Sequence, residues 1–149
     1  MTFDCDILIS GGGIAGLTAA AAFGTAGFDV ICVDPTPPVT DGSAQGADMR
    51  STALLQPARL LLEDAGLWDR LAPHAAPLQI MRIVDAGGDD PSPRVTREFD
   101  AADISDMPFG WNFPNWLLRR EILARLNALP NVDFRPGTGT TTLFTRQSE

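Results

Sequence analysis

The chain is 149 residues long, 44% of them hydrophobic, and its formal net charge is −8. That length and composition predict one globular domain with a real core and exclude a disordered chain. The negative charge argues against nucleic acid as a partner, because few basic side chains could neutralise a row of phosphates. The acidic N-terminus does not resemble a secretory leader and no apolar run could span a bilayer, so we expect a cytoplasmic protein.

The first 34 residues carry the strongest functional pattern in the chain. An apolar strand runs into a G-x-G-x-x-G motif formed by Gly11, Gly13 and Gly16. An alanine-rich helix follows, and residues 28–33 predict a second, buried parallel strand that ends at Asp34. In a dinucleotide-binding βαβ unit, such glycines allow the turn, the approach of a pyrophosphate and close helix packing. The helix N-terminus favours the pyrophosphate, and the acid can accept a hydrogen bond from a ribose hydroxyl.

The motif leaves the identity of the dinucleotide open. Asp34 would repel the 2′-phosphate of NADP, so FAD and NAD remain. Ala15, inside the motif, is grouped with the three glycines as a predicted cofactor-binding residue. A glycine-rich turn that binds no ligand is the alternative interpretation.

The chain after Asp34 departs from a plain NAD-binding pattern. Residues 35–50 contain three prolines and two glycines, which predict a long irregular loop lying along an extended cofactor. A helix over residues 54–64 is predicted next, capped by Ser51 or Thr52 and ended by Gly66.

The second half predicts a hairpin, a helix and a return to the parallel sheet. Residues 78–85 and 94–99 have the pattern of two paired strands joined by a glycine- and aspartate-rich turn. A helix over residues 116–129 would begin at an Asn115 cap. Residues 132–135 then predict a strand parallel to the first two.

These elements predict an α/β fold with a Rossmann-like parallel sheet and an inserted β-hairpin. We expect residues 1–137 to form the N-terminal part of a cofactor-binding domain. Residues 138–149 are expected to be a tail, with a weak strand at 141–145 that begins a missing continuation. The hairpin between two parts of the nucleotide-binding fold is a design typical of a chain with a second domain.

Side chains that commonly bind metals or act as acids and bases are scarce. Cys5 and Cys32 lie in the predicted strands at a spacing that matches no metal site or disulfide, so we expect buried free thiols. His74 is the only histidine, and its Pro/Ala loop predicts exposure to solvent. Trp111 and Phe113 alternate like strand residues and are expected to pack in the core. We predict no metal site and assign no catalytic residue.

Four segments in order point to one family. They are GGGIAG with its acid Asp34, DMRSTAL at 48–54, GLW at 66–68 followed by AAPL at 75–78, and FGWNFPN at 109–115. Together they resemble the FAD-dependent aromatic hydroxylases, most closely the subgroup that hydroxylates ubiquinone precursors. The resemblance covers nearly all of residues 4–135.

The resemblance implies roles for residues outside the glycine motif. Arg50 lies where the family has an arginine near the cofactor, and its guanidinium could pair with a phosphate or a ribityl oxygen. Arg119 lies at a helix position that often faces the flavin. An exposed surface arginine is the alternative for Arg50. A solvated helix face is the alternative for Arg119, because Arg120 and Arg125 lie on the same helix.

The function implied by the resemblance is that of a flavin monooxygenase. Such an enzyme uses FAD and NAD(P)H to hydroxylate a small aromatic substrate. The subgroup's substrates are polyprenylated, which implies a peripheral contact of the complete enzyme with a membrane or with partner enzymes. Family members are far longer, so we expect a chain truncated before the substrate domain.

Three alternatives to this function remain open. The first is a catalytically inactive fragment that only binds an adenine dinucleotide. The second is an NAD-dependent oxidoreductase, which Asp34 allows and the long loop disfavours. The third is another flavoprotein, such as a prenyl reductase or a halogenase.

Overall fold

The computed structural model describes residues 4–88 and 92–142. The helices and strands of these residues, in chain order, are β1 (Ile7–Ser10), α1 (Ile14–Thr25), β2 (Val30–Asp34), β3 (Ser51–Leu55), α2 (Gln56–Asp64), α3 (Trp68–Leu71), β4 (Ala76–Pro77), β5 (Ile80–Asp85), β6 (Val95–Asp100), β7 (Gly110–Pro114), α4 (Asn115–Leu126) and β8 (Val132–Pro136). Two short 3-10 helices, Ala72–His74 and Ala101–Asp103, join some of them.

A three-stranded parallel sheet contains the beginning and the end of the described chain. Its strand order is β1-β2-β8, with Ile7 opposite Val30 and Val30 opposite Val132. Residues 30–33 are buried in the central strand of this sheet, in agreement with their uninterrupted apolar sequence. The predicted βαβ unit and the parallel strand at 132–135 are confirmed. The predicted buried strand at 28–33 is confirmed from residue 30 onward, whereas residues 28 and 29 precede it and are exposed.

The helix α1 ends in a Schellman motif, as the glycine after it predicts. Gly27 adopts a φ of +95°, and its N–H donates to the Gly24 carbonyl. The Phe28 N–H donates to the Phe23 carbonyl, and the two phenylalanine rings meet edge to face at 6.1 Å. The same bond pattern ends α2 at Gly66, so both predicted helix ends are confirmed.

A second, antiparallel sheet was not predicted, and it corrects the start of α2. Its strand order is β3-β7-β4, and residues 54 and 55, expected to be helical, belong to β3. The N-cap of α2 is Leu55, so the predicted caps Ser51 and Thr52 are wrong. Pairing with β7 extends these residues, and Pro57 fits only the first turn of a helix, which sets the later start.

The predicted hairpin is confirmed and has little contact with the rest of the fold. β5 and β6 pair antiparallel, with Ile80 opposite Asp100 and Asp85 opposite Val95. Every residue of β5 and nearly every residue of β6 is exposed. The hairpin therefore forms a separate two-stranded sheet at the surface.

Helix α4 brings the antiparallel sheet onto the βαβ unit. It begins at Asn115, directly after β7, and packs along α1. Its N-cap is Pro114, so the predicted Asn115 cap is wrong, and the helix ends at Leu126 instead of 129. Asn115 is instead buried, and its side chain bonds to Asp48 in the loop before β3 and to Thr52 of β3.

One hydrophobic core joins the two sheets. It contains residues from α1, β2, α2, α3, β7 and α4, and its largest fully buried side chains include Phe113, Leu17, Leu67, Leu71, Leu118 and Ile122. Trp111 is also buried, so core packing is confirmed for both aromatic residues of β7. Trp68 meets the Trp111 ring edge to face at 5.0 Å.

The remaining sequence predictions divide between confirmed and corrected. Both cysteines are free, but only Cys32 is buried, whereas Cys5 is half-buried and precedes β1. His74 is exposed, as predicted. The predicted weak strand at 141–145 lies mainly outside the described residues, and residues 141 and 142 belong to no strand. None of the helices that the structure describes is long and apolar enough to cross a bilayer.

Candidate functional site

The glycine motif forms the turn between β1 and α1. Gly11 has a φ of +117°, a conformation that L side chains rarely adopt, and its N–H donates to the Val33 carbonyl at 2.8 Å. A Cβ on Gly16 would lie 1.9 Å from the Gly11 carbonyl oxygen. Gly11 and Gly16 therefore make the turn and bring the helix against it, as the motif predicts.

Gly13 differs from Gly11 in its backbone conformation and from Gly12 in its open surroundings. A Cβ there would meet no atom within 4 Å, and its φ of −72° is accessible to any residue. Gly13 is the N-cap of α1, and no side chain caps that helix. The first amides of α1, including that of Ala15, thus lie at a helix N-terminus that an anion could approach.

Asp34 connects the end of β2 to the glycine turn. Its Oδ2 accepts the Gly12 N–H at 2.6 Å, and its Oδ1 accepts the Thr36 N–H at 2.8 Å. A Cβ on Gly12 would lie 2.8 Å from the Asp34 Cβ and 2.9 Å from the Phe134 ring. Asp34 therefore orders the turn itself, and each carboxylate oxygen keeps a second lone pair for another donor.

The chain after β8 returns to this same edge of the parallel sheet. The Thr138 N–H donates to the Asp34 carbonyl at 3.0 Å, and the hydroxyls of Ser10 and Thr140 lie 2.7 Å apart. The carboxyl ends of β1, β2 and β8 thus meet at the glycine turn. In open parallel sheets this is the edge at which ligands bind.

Cys32 lies beneath the turn, and its thiol is neutral. Its Sγ lies 3.8 Å from the Gly11 carbonyl oxygen, to which it can donate. Burial, and then the nearby charge of Asp34, raise the pKa of the Cys32 thiol. The thiol therefore stays protonated and serves packing at neutral pH.

A second cluster of polar residues joins the loop before β3 to the start of α4. Asp48 accepts two hydrogen bonds from the Arg50 guanidinium, at 2.8 Å each, and lies 3.6 Å from that of Arg119. The Asn115 side-chain amide also donates to Asp48, at 3.0 Å, and its carbonyl accepts the Thr52 hydroxyl at 2.6 Å. Hydrogen bonds from Arg50 first, and then from Asn115, hold the pKa of Asp48 well below its usual range.

The structure thus brings the two predicted arginines together at Asp48. The Arg50 side chain is 82% exposed but is paired to Asp48, and that of Arg119 is only 23% exposed. Asp48 and Asn115 were not predicted. The short spacing of Asp48 from Arg50 is a signal that could have indicated their pairing, whereas the contact with Asn115 arises only in the folded chain.

An apolar groove of about 680 Å³ lies among α1, β3, α2 and α4. Its lining includes Ala15 and also Thr52, whose hydroxyl donates to Asn115. The groove is lined by Ile14, Ala15, Thr18, Ala19, Ala22, Phe23, Thr52, Leu54, Ala58, Leu61, Leu62, Leu118 and Ile122.

These features fit a dinucleotide. The open position at Gly13 allows close approach of a pyrophosphate to an uncapped helix N-terminus, and Asp34 is placed at the end of the neighbouring strand. The Asp48 cluster adds the positive charges of Arg50 and Arg119 to a chain that is acidic overall. Fold and site together define a nucleotide-cofactor-binding α/β domain.

Comparison with known proteins identifies the family. Residues 4–147 match the FAD binding domain family, and the chain belongs to that family. FAD is therefore the cofactor, which decides between the two dinucleotides that the sequence left open. The predicted resemblance to FAD-dependent aromatic hydroxylases is also confirmed.

The relatives carry hydroxylase names. The chain is 37% identical over 125 residues to ubiquinone hydroxylase UbiL of Rhodospirillum rubrum. The aligned region covers 84% of this chain and 28% of that protein. It is 31% identical over 139 residues to a 3-(3-hydroxy-phenyl)propionate/3-hydroxycinnamic acid hydroxylase of Mycobacterium avium, covering 91% of this chain and 22% of that protein. The chain thus spans less than a third of the curated relatives it matches.

Solved structures agree on the fold. The p-nitrophenol 4-monooxygenase PnpA of Pseudomonas putida superposes with a TM-score of 0.66 at 22% identity, covering 88% of this chain and 31% of that one. The flavin-dependent monooxygenase PieE, solved with FAD and substrate, gives a TM-score of 0.63 at 24% identity over 89% of this chain and 24% of that one.

Proposed function

We propose that this chain is the FAD-binding portion of an NAD(P)H-dependent flavin monooxygenase that hydroxylates an aromatic ring. The observation that carries the proposal is the open N-terminus of α1 at Gly13, next to an acid at the end of β2. Hydroxylation is supported by the names of the curated relatives, which are aromatic-ring and ubiquinone hydroxylases.

Each predicted cofactor residue has a distinct part in this proposal. Gly11 and Gly16 shape the turn, and Gly13 leaves room for the pyrophosphate to reach the amides near Ala15. Asp34 accepts a hydrogen bond from the adenosine ribose with a lone pair that the Gly12 and Thr36 amides leave available.

The two arginines serve the remainder of the cofactor. Arg50 uses the guanidinium N–H groups that do not bond to Asp48 to hold a phosphate or ribityl oxygen. Arg119 lies on the first turns of α4, and we propose that it faces the flavin. Both groups are cationic at any physiological pH, so they offset the negative charge of the cofactor.

Bound FAD supplies the oxygen chemistry, and this chain binds and orients it. The name of one relative, a ubiquinone hydroxylase, supports an aromatic substrate of the ubiquinone-precursor kind. A polyprenyl tail on that substrate is part of the proposal and follows from the resemblance to the subgroup. NAD(P)H is the proposed reductant. A cytoplasmic enzyme with peripheral contact to a membrane or to partner enzymes suits such a substrate. No residue of this chain is assigned a catalytic role.

The test is a titration of the purified 149-residue chain with FAD and, separately, with NAD. Binding is followed by flavin fluorescence and by calorimetry. Gly13→Val is the decisive variant, because its side chain would occupy the space left for the pyrophosphate without meeting protein atoms at its Cβ. We expect FAD to bind the native chain and the variant to lose that binding.

Other outcomes distinguish the alternatives. Binding of NAD without FAD would support an NAD-dependent oxidoreductase instead. FAD binding without any substrate-dependent oxidation of NAD(P)H would describe a chain that binds the cofactor and does not turn over. Equal FAD binding by Gly13→Val and the native chain would contradict the assignment of the glycine turn.

A further inference from the structure

Asp48 is the most heavily bonded side chain near the proposed cofactor site. Its carboxylate is only 11% exposed, and it receives the Arg50 guanidinium at two points. The backbone N–H of Arg50 also donates to Asp48 Oδ1, at 3.2 Å. Within residues 4–88 and 92–142, no other carboxylate forms an ion pair with Arg50 or Arg119.

The support for Asp48 comes from a buried element. Asn115 is 7% exposed, and its backbone N–H donates to the Arg50 carbonyl at 2.9 Å while its side chain donates to Asp48. The Thr52 hydroxyl donates to the carbonyl oxygen of the same Asn115 side chain. The loop that carries Asp48 and Arg50 is therefore attached to the first residue of α4 at both its backbone and its side chain.

The charges do not cancel within this cluster. One carboxylate faces two guanidiniums, so the group keeps one net positive charge. Arg50 bonds through Nε and one terminal nitrogen, which leaves its other terminal nitrogen free of Asp48 and largely in solvent. A doubly paired arginine loses little further rotamer freedom when an anion arrives.

We propose that Asp48 is a positioning residue that orders Arg50 and Arg119 for the anionic part of FAD before the cofactor binds. This inference rests on the proposed function of the two arginines. Asp48 itself does not contact the cofactor. Its effect on affinity comes from the side-chain freedom that the arginines no longer have to give up on binding, a cost that is typically about twofold to tenfold in affinity per side chain.

The test is a double-mutant cycle on FAD affinity. We expect Asp48→Asn to weaken FAD binding about tenfold in the native background and less than about twofold in a background that carries both Arg50→Gln and Arg119→Gln. Asp64→Asn, which removes the same charge from an exposed position at the end of α2, is the matched control and should bind FAD like the native chain. Asp48→Glu should recover part of the lost affinity.

The outcomes separate this inference from the proposed function. If the native chain binds FAD and Asp48→Asn binds it as tightly or more tightly, Asp48 does not position the arginines and the inference fails alone. An equal loss in both backgrounds would also overturn it, since Asp48 would then act through the fold. No FAD binding by the native chain would overturn both.

A second variant covers the case in which Asp48→Asn does not fold. Arg50→Lys keeps the positive charge and loses the two-point pairing with Asp48. We expect FAD binding to weaken several-fold in this variant. Unchanged affinity would show that charge at this position suffices and would overturn the inference.

Discussion

The three consecutive glycines at residues 11–13 differ in backbone conformation and in surroundings. Gly11 has a positive φ, and Gly12 lies where a Cβ would meet Asp34 and Phe134. Gly13 has an ordinary backbone conformation and open surroundings, so nothing in the described fold requires glycine there. The proposed contact with the cofactor pyrophosphate would supply a reason for glycine at that position.

This contrast leads to opposite expectations for two alanine substitutions. Gly16→Ala should lower the free energy of unfolding by about 1–3 kcal/mol or more, because its Cβ would overlap the Gly11 carbonyl. Gly13→Ala should cost at most about 1 kcal/mol, since alanine is only a poorer N-cap. Urea unfolding followed by circular dichroism measures both. Equal destabilisation by the two substitutions would contradict the geometry of the turn.

The acids of the site also act at the scale of single residues. Asp34 bonds to backbone amides on both sides of it, and Asp48 bonds to two side chains and one amide. Both carboxylates therefore hold neighbouring protein groups in place through bonds within the protein itself. The sequence indicated Asp34 through its place at the end of a predicted strand, and it did not indicate Asp48 as a site residue.

At the scale of elements, long-range pairing decides where two helices begin. β3 and β7 pair in register from Ser51 opposite Pro114 to Leu55 opposite Gly110, and each strand runs directly into a helix. A Cβ on Gly110 would lie 2.4 Å from the Leu54 carbonyl oxygen, so β3 leaves no room for a side chain at that position. The apolar spacing around residues 54–64 fits a helix by itself, and the strand pairing overrides it.

The hairpin β5–β6 is the element least supported by the rest of the described fold. A two-stranded sheet with both faces in solvent is marginally stable. We expect its amides to exchange hydrogen at least about a hundredfold faster than those of β2, which lies buried at the centre of the parallel sheet. Hydrogen exchange read by mass spectrometry makes the comparison, and equal protection would show that the hairpin is covered.

At the scale of the whole molecule, one core connects the cofactor-binding βαβ unit to the antiparallel sheet. Helix α4 packs against α1 on one side and follows β7 directly, so the glycine turn and the Asp48 cluster belong to one packed unit. The site is therefore assembled from segments that are far apart in the chain. Its geometry depends on the core as much as on its own residues.

Phe113 tests this dependence, because it is the largest fully buried side chain among residues 4–88 and 92–142. Phe113→Ala should lower the free energy of unfolding by about 3–5 kcal/mol, through lost burial and the cavity left behind. Leu60→Ala, at an exposed position of α2, is the control and should have little effect. Thermal unfolding measures both. A small effect of Phe113→Ala would mean that β7 does not join the two parts of the fold.

The amino-acid sequence by itself determined the local structural elements of this protein. The βαβ unit, the glycine turn, both glycine helix ends, the hairpin and the parallel return strand follow from periodicity and from residues with special backbone freedom. These signals are local, since each depends on neighbours within a few residues. The resemblance carried by short motifs extended them to an FAD-binding family, which the comparisons confirm.

Only the tertiary structure decided how the distant segments meet. The antiparallel sheet, the true starts of α2 and α4, and the bonds that join Asp48 to Arg119 and Asn115 depend on contacts between residues up to 71 apart in the chain. No local pattern encodes such a contact, because a strand pair or a buried amide is selected by the packing of the complete core.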